Sequence, residues 1–321
     1  MNTKDKINKI LADEQLTLVG KTTNDIDVNH HSFYSIAKNK KGERNFFKFL
    51  TSEVDFKKET FKKELLLLKF LSENNITGIS VPSYIKGSFK EGDTWLVREL
   101  GEGDIFGDRL NYSDKFYTPK TIQLLESFIT SLQKNTPAVS KFFKKNKSPL
   151  QTKKTKWFLK NFQKDHDFEA FYKNVKEKII TPEETKKINK FIKKHSSLLN
   201  KNLVLTHGDL QAENIIFDNN GDLIIIDWEN IHLNNRLFDW GYIWVNSWNS
   251  PKWRKQLEKK ITSTEEDKIL FTINKIRWLT RMIGLMDNGV RTNPKNKPIY
   301  LYLKKIKDTH ISDLRKIIKN L

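Results

Sequence analysis

The chain has no cysteine among its 321 residues, which excludes a disulfide framework and any thiolate metal or redox site. It also lacks an apolar run near the roughly 20 residues that a membrane-spanning helix requires. Its first residues, MNTKDKINKI, are charged throughout and have no apolar core of the kind found in a signal peptide. We therefore expect a cytoplasmic protein.

Acidic side chains are scarce, with 39 Asp and Glu against 58 Lys and Arg, for a net charge of +19. A positive field of this size attracts nucleic acid, anionic surfaces or acidic small molecules. Lysine greatly outnumbers arginine, however, whereas base reading favours arginine, and no zinc-finger, RNP-like or recognition-helix pattern is present. We expect no specific nucleic-acid partner, a solvated lysine-rich surface, and at most peripheral association with an anionic surface.

The residues that are present predict a folded α+β protein, with 37% hydrophobic and 12% aromatic side chains. Strand patterns in the first 100 residues cover 15–20, 31–38, 44–50, 84–89 and 94–100. A helix is predicted over 55–75, where bulky apolar residues recur at helical spacing. These elements predict a small amino-terminal β-rich lobe over residues 1–100.

Beyond residue 100 the pattern becomes mostly helical, which predicts a larger second lobe over 101–321. Thr118-Pro119 begins one helix as N-cap and first-turn proline. Capping boxes at residues 181–184 and 263–266 begin two more, and the second of these helices is predicted to end near Gly289.

A β hairpin is predicted within residues 205–230, LTHGDLQAENIIFDNNGDLIIIDWEN, because Asn220-Gly221 separates two apolar runs. A hairpin folds its two ends together, so Asn214 and Asp227 should become neighbours. Asp209 lies on the loop just before the first strand. We expect the three oxygen-bearing side chains to converge.

Converging oxygens suit a magnesium site, because this ion takes carboxylate and amide oxygens together with substrate phosphates. Asn214 and Asp227 fit that role, and Asp209 would be left to accept a proton from a hydroxyl nucleophile. The spacing matches the phosphoryl-transfer template. Each residue alone is explained as a turn cap or strand end, but the three together favour a functional site.

The motif HGDLQAENII followed by IIIDWE resembles that of the aminoglycoside phosphotransferase and choline kinase family, small-molecule kinases with a protein-kinase-like bilobal fold. The resemblance implies a nucleotide-binding lobe over 1–100 and a catalytic and acceptor-binding lobe over 101–321. It implies ATP as phosphate donor, with GTP as the alternative, Asp209 as catalytic base, and Mg²⁺ held by Asn214 and Asp227. The acceptor hydroxyl would belong to an aminoglycoside, choline or ethanolamine, a sugar or a related metabolite. His207 would brace the loop.

The same resemblance assigns roles in the amino-terminal lobe. Lys48, in FFKFL, is expected to contact the nucleotide phosphates and to pair with a helix glutamate. We choose Glu64 as that partner, with Glu59 as its rival. Glu99 and Leu100 end the strand that links the lobes, and their backbone groups are expected to hydrogen-bond the adenine of the nucleotide.

No Gly-x-Gly-x-x-Gly loop is present, and residues 29–32 are expected at the tip of the loop that covers the phosphates.

Two alternative functions stay open. A protein kinase would carry Asp-Phe-Gly and a downstream Ala-Pro-Glu, whereas this chain has Asp227-Trp228-Glu229. A non-catalytic nucleotide-binding protein on the kinase fold would have no need to keep Lys48, Asp209 and both expected metal ligands.

Residues 141–160 hold eight lysines and no acid. They lie between the expected hinge and the catalytic loop, near where an acceptor would bind. A solvated lysine face is the simpler explanation of this segment. If it does act on the acceptor, its field should favour a neutral or anionic molecule.

Overall fold

The computed structural model describes residues 2–22, 31–74, 76, 78–90, 93–151 and 179–321. Its helices are α1 Thr3–Asp13, α2 Asp55–Asn74, α3 Pro119–Lys134, α4 Thr136–Lys145, α5 Pro182–Lys194, α6 Ser196–Leu199, α7 Phe238–Asn246, α8 Pro251–Ile261, α9 Glu265–Thr292 and α10 Pro298–Lys319. Its strands are β1 Thr17–Val19, β2 Ser32–Lys38, β3 Arg44–Leu50, β4 Tyr84–Lys90, β5 Asp93–Glu99, β6 Asp104–Ile105, β7 Gly107–Asp108, β8 Asn111–Tyr112, β9 Val204–Thr206, β10 Ile215–Phe217, β11 Leu223–Ile225 and β12 His232–Asn234. The predicted α+β class is confirmed.

The chain forms two compact units. Unit 1 consists of Met1–Ile105, Leu124–Leu150 and Asn214–Ile231, and unit 2 of Phe106–Gln123, Gln151–Glu213 and His232–Leu321. Each unit draws on separate stretches of the chain, and the predicted lobe boundary at residue 100 stays a prediction. Among the described residues, no helix is long and apolar enough to cross a membrane.

Unit 1 is built on an antiparallel sheet of five strands in the order β1-β2-β3-β5-β4. Alternation along β3 sends Phe47 and Phe49 into a core that also contains Ile7 and Ile10 of α1. Lys48 lies between the two phenylalanines and so faces the opposite side of the sheet. The predicted strands and helix of this region are confirmed, while α1 was not predicted because its apolar residues are interspersed with charges.

The predicted hairpin is present in unit 1 as β10 and β11, which pair with Ile215 opposite Ile225. Asp218 Oδ1 accepts hydrogen bonds from the backbone N–H groups of Asn220 and Asp222, at 2.9 and 2.8 Å. Gly221 has φ of 76°, a left-handed conformation that glycine adopts without steric cost. The strands are short, and the turn chemistry fixes their register.

Unit 2 contains the helices α7 to α10, and its α9 begins one residue later than predicted. Thr264 is the N-cap and forms a capping box with Asp267, in place of the predicted box of residues 263–266. Asp267 also binds Arg236, with 2.6 Å between Oδ1 and Nη2. Residues 263–266 and 264–267 both fit the capping-box pattern, and in the observed register Arg236 pairs with Glu266 as well as with Asp267, at 3.0 and 2.6 Å.

Helix α9 also ends later than predicted, at Thr292. Gly289 was expected to terminate it, but this glycine lies inside the helix. A Cβ atom there would come within 2.7 Å of Leu303 Cδ1 on α10. The glycine therefore permits close packing of the two helices.

Candidate functional site

The centre of unit 1 is a buried lysine held by two carboxylates. Lys48 Nζ lies 2.7 Å from Glu64 Oε2 and 2.6 Å from Glu229 Oε1. Glu64 is almost completely buried, whereas the side chain of Glu229 stays 21% exposed. The rival Glu59 instead pairs with Lys63, at 3.2 Å. Of the two candidates from the sequence, the structure therefore pairs Lys48 with Glu64, and it adds Glu229.

These contacts keep Lys48 and Glu229 charged. Burial alone would lower the pKa of Lys48, but the carboxylates of Glu64, Glu229 and Asp227 raise it above its usual value. Burial would raise the pKa of Glu229, yet the Lys48 ammonium holds it below its usual range. At neutral pH, Lys48 is therefore a full positive charge paired with the ionised Glu229.

Asp227 lies at the end of the predicted hairpin. The N–H of Ile226, the preceding residue, donates to the carbonyl of Asn214 at 3.1 Å, so the two ends of the hairpin meet through the backbone. Asp227 has φ of 62°, a left-handed conformation that is uncommon outside glycine and marks strain at functional positions.

The donor set around Asp227 fits a magnesium ion. Carboxylate oxygens of Glu64, Asp227 and Glu229 all lie within 4.8 Å of one another. Asn214, buried in the same unit, carries an amide oxygen that is also of this type. These hard oxygen donors are the ligand type that magnesium prefers.

The segment expected to bind the nucleotide base follows directly from β5. Two hydrogen bonds with Ser83 hold Glu99 at the end of the strand. The Glu99 N–H donates to the Ser83 carbonyl at 3.0 Å, and the Ser83 N–H donates to Glu99 Oε2 at 3.1 Å. The carbonyl of Glu99 accepts from Arg98 Nη1 at 3.0 Å. Leu100 is the first residue after the strand.

The His-Gly-Asp loop lies in unit 2, and hydrogen bonds to a buried carboxylate hold it in place. Asp239 accepts the backbone N–H groups of His207 and Gly208, both at 2.9 Å. Burial raises the pKa of Asp239 to about 6, although the two backbone N–H groups act to lower it. His207 is fully buried, and its Nδ1 accepts from the Asp209 N–H at 3.3 Å. His207 and Asp239 together fix the loop that presents the partly exposed Asp209.

Sequence reasoning missed several residues of these two sites. Glu229 could have been found from its position two residues after Asp227, and Arg98 from strand alternation, which places it on the face of Lys48. Tyr242 lies on α7, where burial and the Asp209 carboxylate raise its pKa. Only the tertiary fold brings this tyrosine near Asp209, so no local pattern could indicate it.

Two predicted features lie partly outside the described residues. They are positions 29–30 of the loop expected to cover the phosphates, and positions 152–160 of the lysine-rich segment. Asp209 belongs to unit 2, and Asn214 and Asp227 to unit 1. The predicted convergence of all three side chains stays a prediction.

Comparison with known proteins establishes the family. A model described as the phosphotransferase enzyme family matches residues 47–277, a span that includes Lys48, Asp209, Asn214 and Asp227. The chain belongs to this family. The predicted family and the predicted enzyme class, a phosphotransferase, are thereby confirmed. Among curated proteins, the sequence has no significant match.

Solved structures of phosphotransferases share the fold. The streptomycin–ATP complex of the aminoglycoside phosphotransferase APH(2")-IIa superposes with a TM-score of 0.56 at 16% identity, covering 98% of this chain and 97% of that one. The GDP and kanamycin complex of APH(2")-IIia gives 0.59 at 12%, covering 98% of both chains. Choline kinase LicA from Streptococcus pneumoniae gives 0.53 at 14%, covering 97% and 100%. At these identities the similarity establishes the kinase-like fold.

Proposed function

We propose that this phosphotransferase moves the γ-phosphate of a nucleoside triphosphate to a hydroxyl group of a small molecule, with Asp209 as the general base. Lys48, oriented by Glu64, would contact the nucleotide phosphates, and Glu99 and Leu100 would bind the nucleotide base through their backbone. Asn214 and Asp227 would hold magnesium.

The observation that carries this proposal is the buried contact of Lys48 with Glu64 at 2.7 Å. A phosphate-binding lysine needs a fixed position and a full positive charge, and this ion pair supplies both. The pair lies in the same unit as Asp227 and Asn214, whose oxygens are suitable magnesium ligands. A magnesium ion bound there would offset the negative charge of the nucleotide phosphates.

Asp209 is suited to take the acceptor's proton because its loop is fixed and its side chain is partly exposed. In the proposed reaction, the acceptor oxygen forms a bond to the γ-phosphorus as the bond to the bridging oxygen of the β-phosphate breaks. The acceptor proton passes to the Asp209 carboxylate, and a nucleoside diphosphate leaves. Asp239 and His207 would act indirectly, by holding this loop.

The acceptor class rests on what structural neighbours bind. Their complexes contain streptomycin, kanamycin or spectinomycin, and LicA is a choline kinase. The nucleotides in these complexes are ATP, ADP and GDP. We propose a small hydroxyl-bearing acceptor, which is an aminoglycoside, choline or ethanolamine, a sugar or a related metabolite.

The test is transfer of labelled γ-phosphate from ATP and GTP to a panel of hydroxyl-bearing antibiotics and metabolites, with and without magnesium. Asp209→Asn should lower turnover by about 10²–10⁴, the usual contribution of a general base, while nucleotide binding survives. Asp222→Asn, which removes an exposed carboxylate of the hairpin turn, is the matched control and should leave turnover unchanged. Full activity of the Asp209 variant with a confirmed acceptor would contradict the role of Asp209.

The same experiment separates the alternatives. A non-catalytic nucleotide-binding protein would bind nucleotide and transfer no label to any acceptor. A protein kinase would label proteins in preference to small molecules. Magnesium-dependent transfer to a small hydroxyl compound is the outcome that the proposal requires.

A further inference from the structure

A buried arginine lies beside the segment proposed to hold the nucleotide base. Arg98 is the second-last residue of β5, and its side chain is only 5% exposed. Its guanidinium stacks over the ring of Phe46, with 4.1 Å from Cζ to the ring centroid. Phe46 pairs directly across from Arg98 and precedes Lys48 by two residues, so both lie on the face of Lys48.

The guanidinium has few partners for a buried cation. Its single hydrogen bond among the described residues is from Nη1 to the carbonyl of Glu99, at 3.0 Å. It forms no ion pair with a described carboxylate, although Glu64 and Asp227 act on it from a greater distance. Most of its N–H donors are therefore left for another group. A guanidinium that keeps donors unused beside the proposed site is able to bind a ligand that supplies acceptors.

The position of Arg98 indicates which part of a nucleotide it would meet. Lys48, two residues along from Phe46, is the proposed phosphate contact, and Glu99 and Leu100 are the proposed contacts of the base. Arg98 is adjacent to Glu99 and hydrogen-bonded to its carbonyl. Its Nη1 therefore lies beside the proposed base contacts, while the carboxylates of Glu64 and Asp227 act on the same guanidinium from a greater distance.

Guanine and adenine differ at the edge that such an arginine would contact. Guanine presents two acceptors there, O6 and N7, which match the two parallel donors of a guanidinium. Adenine presents N7 beside a 6-amino donor, and arginine has no acceptor to offer that donor. In addition, Arg98 Nη1 already occupies the Glu99 carbonyl, which is the acceptor that an adenine amino group would otherwise use.

We infer that Arg98 reads the O6 and N7 edge of guanine and makes GTP the preferred phosphate donor of this enzyme. The inference rests on the proposed function, because it places the base at Glu99 and Leu100. It adds the choice of nucleotide and the residue that makes this choice. A good bidentate contact discriminates by about 1–3 kcal/mol, or about 5- to 150-fold in affinity.

The test is calorimetric binding of GTP, ATP and inosine triphosphate, each with magnesium, to the full chain. The wild type should bind GTP at least about fivefold more tightly than ATP. Inosine triphosphate should bind like GTP, because it keeps O6 and N7 and lacks only the 2-amino group. Arg98→Met, which removes the donors but fits a buried site, should weaken GTP binding and strengthen ATP binding, because the Glu99 carbonyl becomes available to the adenine amino group.

Two further variants make the result specific. Arg98→Lys keeps the charge without the fork and should lose most of the preference, whether or not the methionine variant folds. Arg109→Met removes an exposed arginine outside this sheet and should leave the preference intact. Tighter binding of ATP than GTP, or a preference unchanged in both Arg98 variants, would overturn the inference while the phosphotransferase proposal stands. Binding of neither nucleotide would overturn both.

Discussion

At the scale of single residues, the feature that most affects nucleotide binding is the second carboxylate on Lys48. Glu64 alone would orient the lysine, as in other enzymes that transfer phosphate. Glu229 contacts the same ammonium at 2.6 Å and keeps some exposure. An incoming phosphate would have to share Lys48 with this carboxylate and would be repelled by it.

Glu229→Gln should therefore strengthen nucleotide binding when magnesium is absent. Removing one negative charge next to the phosphates should raise the affinity for free nucleotide about tenfold, the equivalent of about 1.4 kcal/mol of repulsion. Titration calorimetry in the presence of a chelator measures this change. Glu59→Gln, on the same helix as Glu64 but paired with Lys63, is the control and should change nothing. Weaker binding by the Glu229 variant would show that this carboxylate supports the nucleotide instead of competing with it.

At the scale of secondary structure, local chemistry predicts elements well where the chain determines its own geometry. The hairpin of β10 and β11 follows from Asp218 and Gly221. The family resemblance implied the pairing of Lys48 with Glu64, which the structure contains. The start of α9 and the role of Gly289 could not be predicted. Arg236 pairs with Asp267 of the observed capping box, and Leu303 packs against the glycine, and both lie far away in sequence.

The candidate site also combines features that local sequence predicts with contacts between residues distant in sequence. Asp209, Asn214 and Asp227 lie in one short segment whose spacing is informative on its own. Glu229 lies in the same segment, but its contact with Lys48 joins residues that are 181 positions apart. No periodicity or motif in a single sequence reports such a distant pairing, and the same is true of Asp239 beneath the loop.

Helix α10 contains a buried histidine that should lower the free energy of unfolding measurably at acidic pH. His310 is fully buried, and neither ring nitrogen has a hydrogen-bond partner among the described residues. Burial, assisted by Arg254, lowers its pKa from 6.5 to about 3. The unfolded chain therefore takes up a proton near pH 6.5 that the folded chain refuses, and stability is lost as the pH falls from about 6.5 towards 3.

His310→Leu should remove this loss. The free energy of unfolding of the variant relative to the wild type should improve by about 2 kcal/mol between pH 6.5 and pH 5. Urea unfolding at the two pH values measures the difference, and His31→Leu, at an exposed position, is the control. Parallel pH profiles for the wild type and the His310 variant would show that the buried ring is protonated in the folded state.

At the scale of the whole molecule, the net charge of +19 acts on anything that approaches. In the described part of the lysine-rich segment, Lys141, Lys144 and Lys145 are exposed, while Phe143 is fully buried. The interleaved phenylalanine therefore packs in unit 1, and the lysines project a positive field. Such a field favours neutral or anionic acceptors and is screened over about 8 Å at physiological salt.

The acceptor KM should reflect this field. For an anionic acceptor, KM should rise with ionic strength and should rise further when Lys144 and Lys145 are both changed to Glu, because attraction is lost. For a neutral acceptor, KM should be insensitive to both changes. Tight binding of a polycationic aminoglycoside, indifferent to these substitutions, would show that the field has no part in acceptor choice.

The central claim is that Asp227 binds magnesium and that Asp209 accepts the proton of the acceptor hydroxyl. Calorimetry of magnesium–nucleotide binding tests this division of roles most directly. Asp227→Ala should abolish magnesium-dependent binding, whereas Asp209→Asn should bind as the wild type does. Asp227→Asn controls for strain, because asparagine tolerates the left-handed backbone at φ of 62° while lacking the charge, and its affinity should also fall. Unchanged magnesium–nucleotide affinity in the folded Asp227→Ala variant would contradict the account.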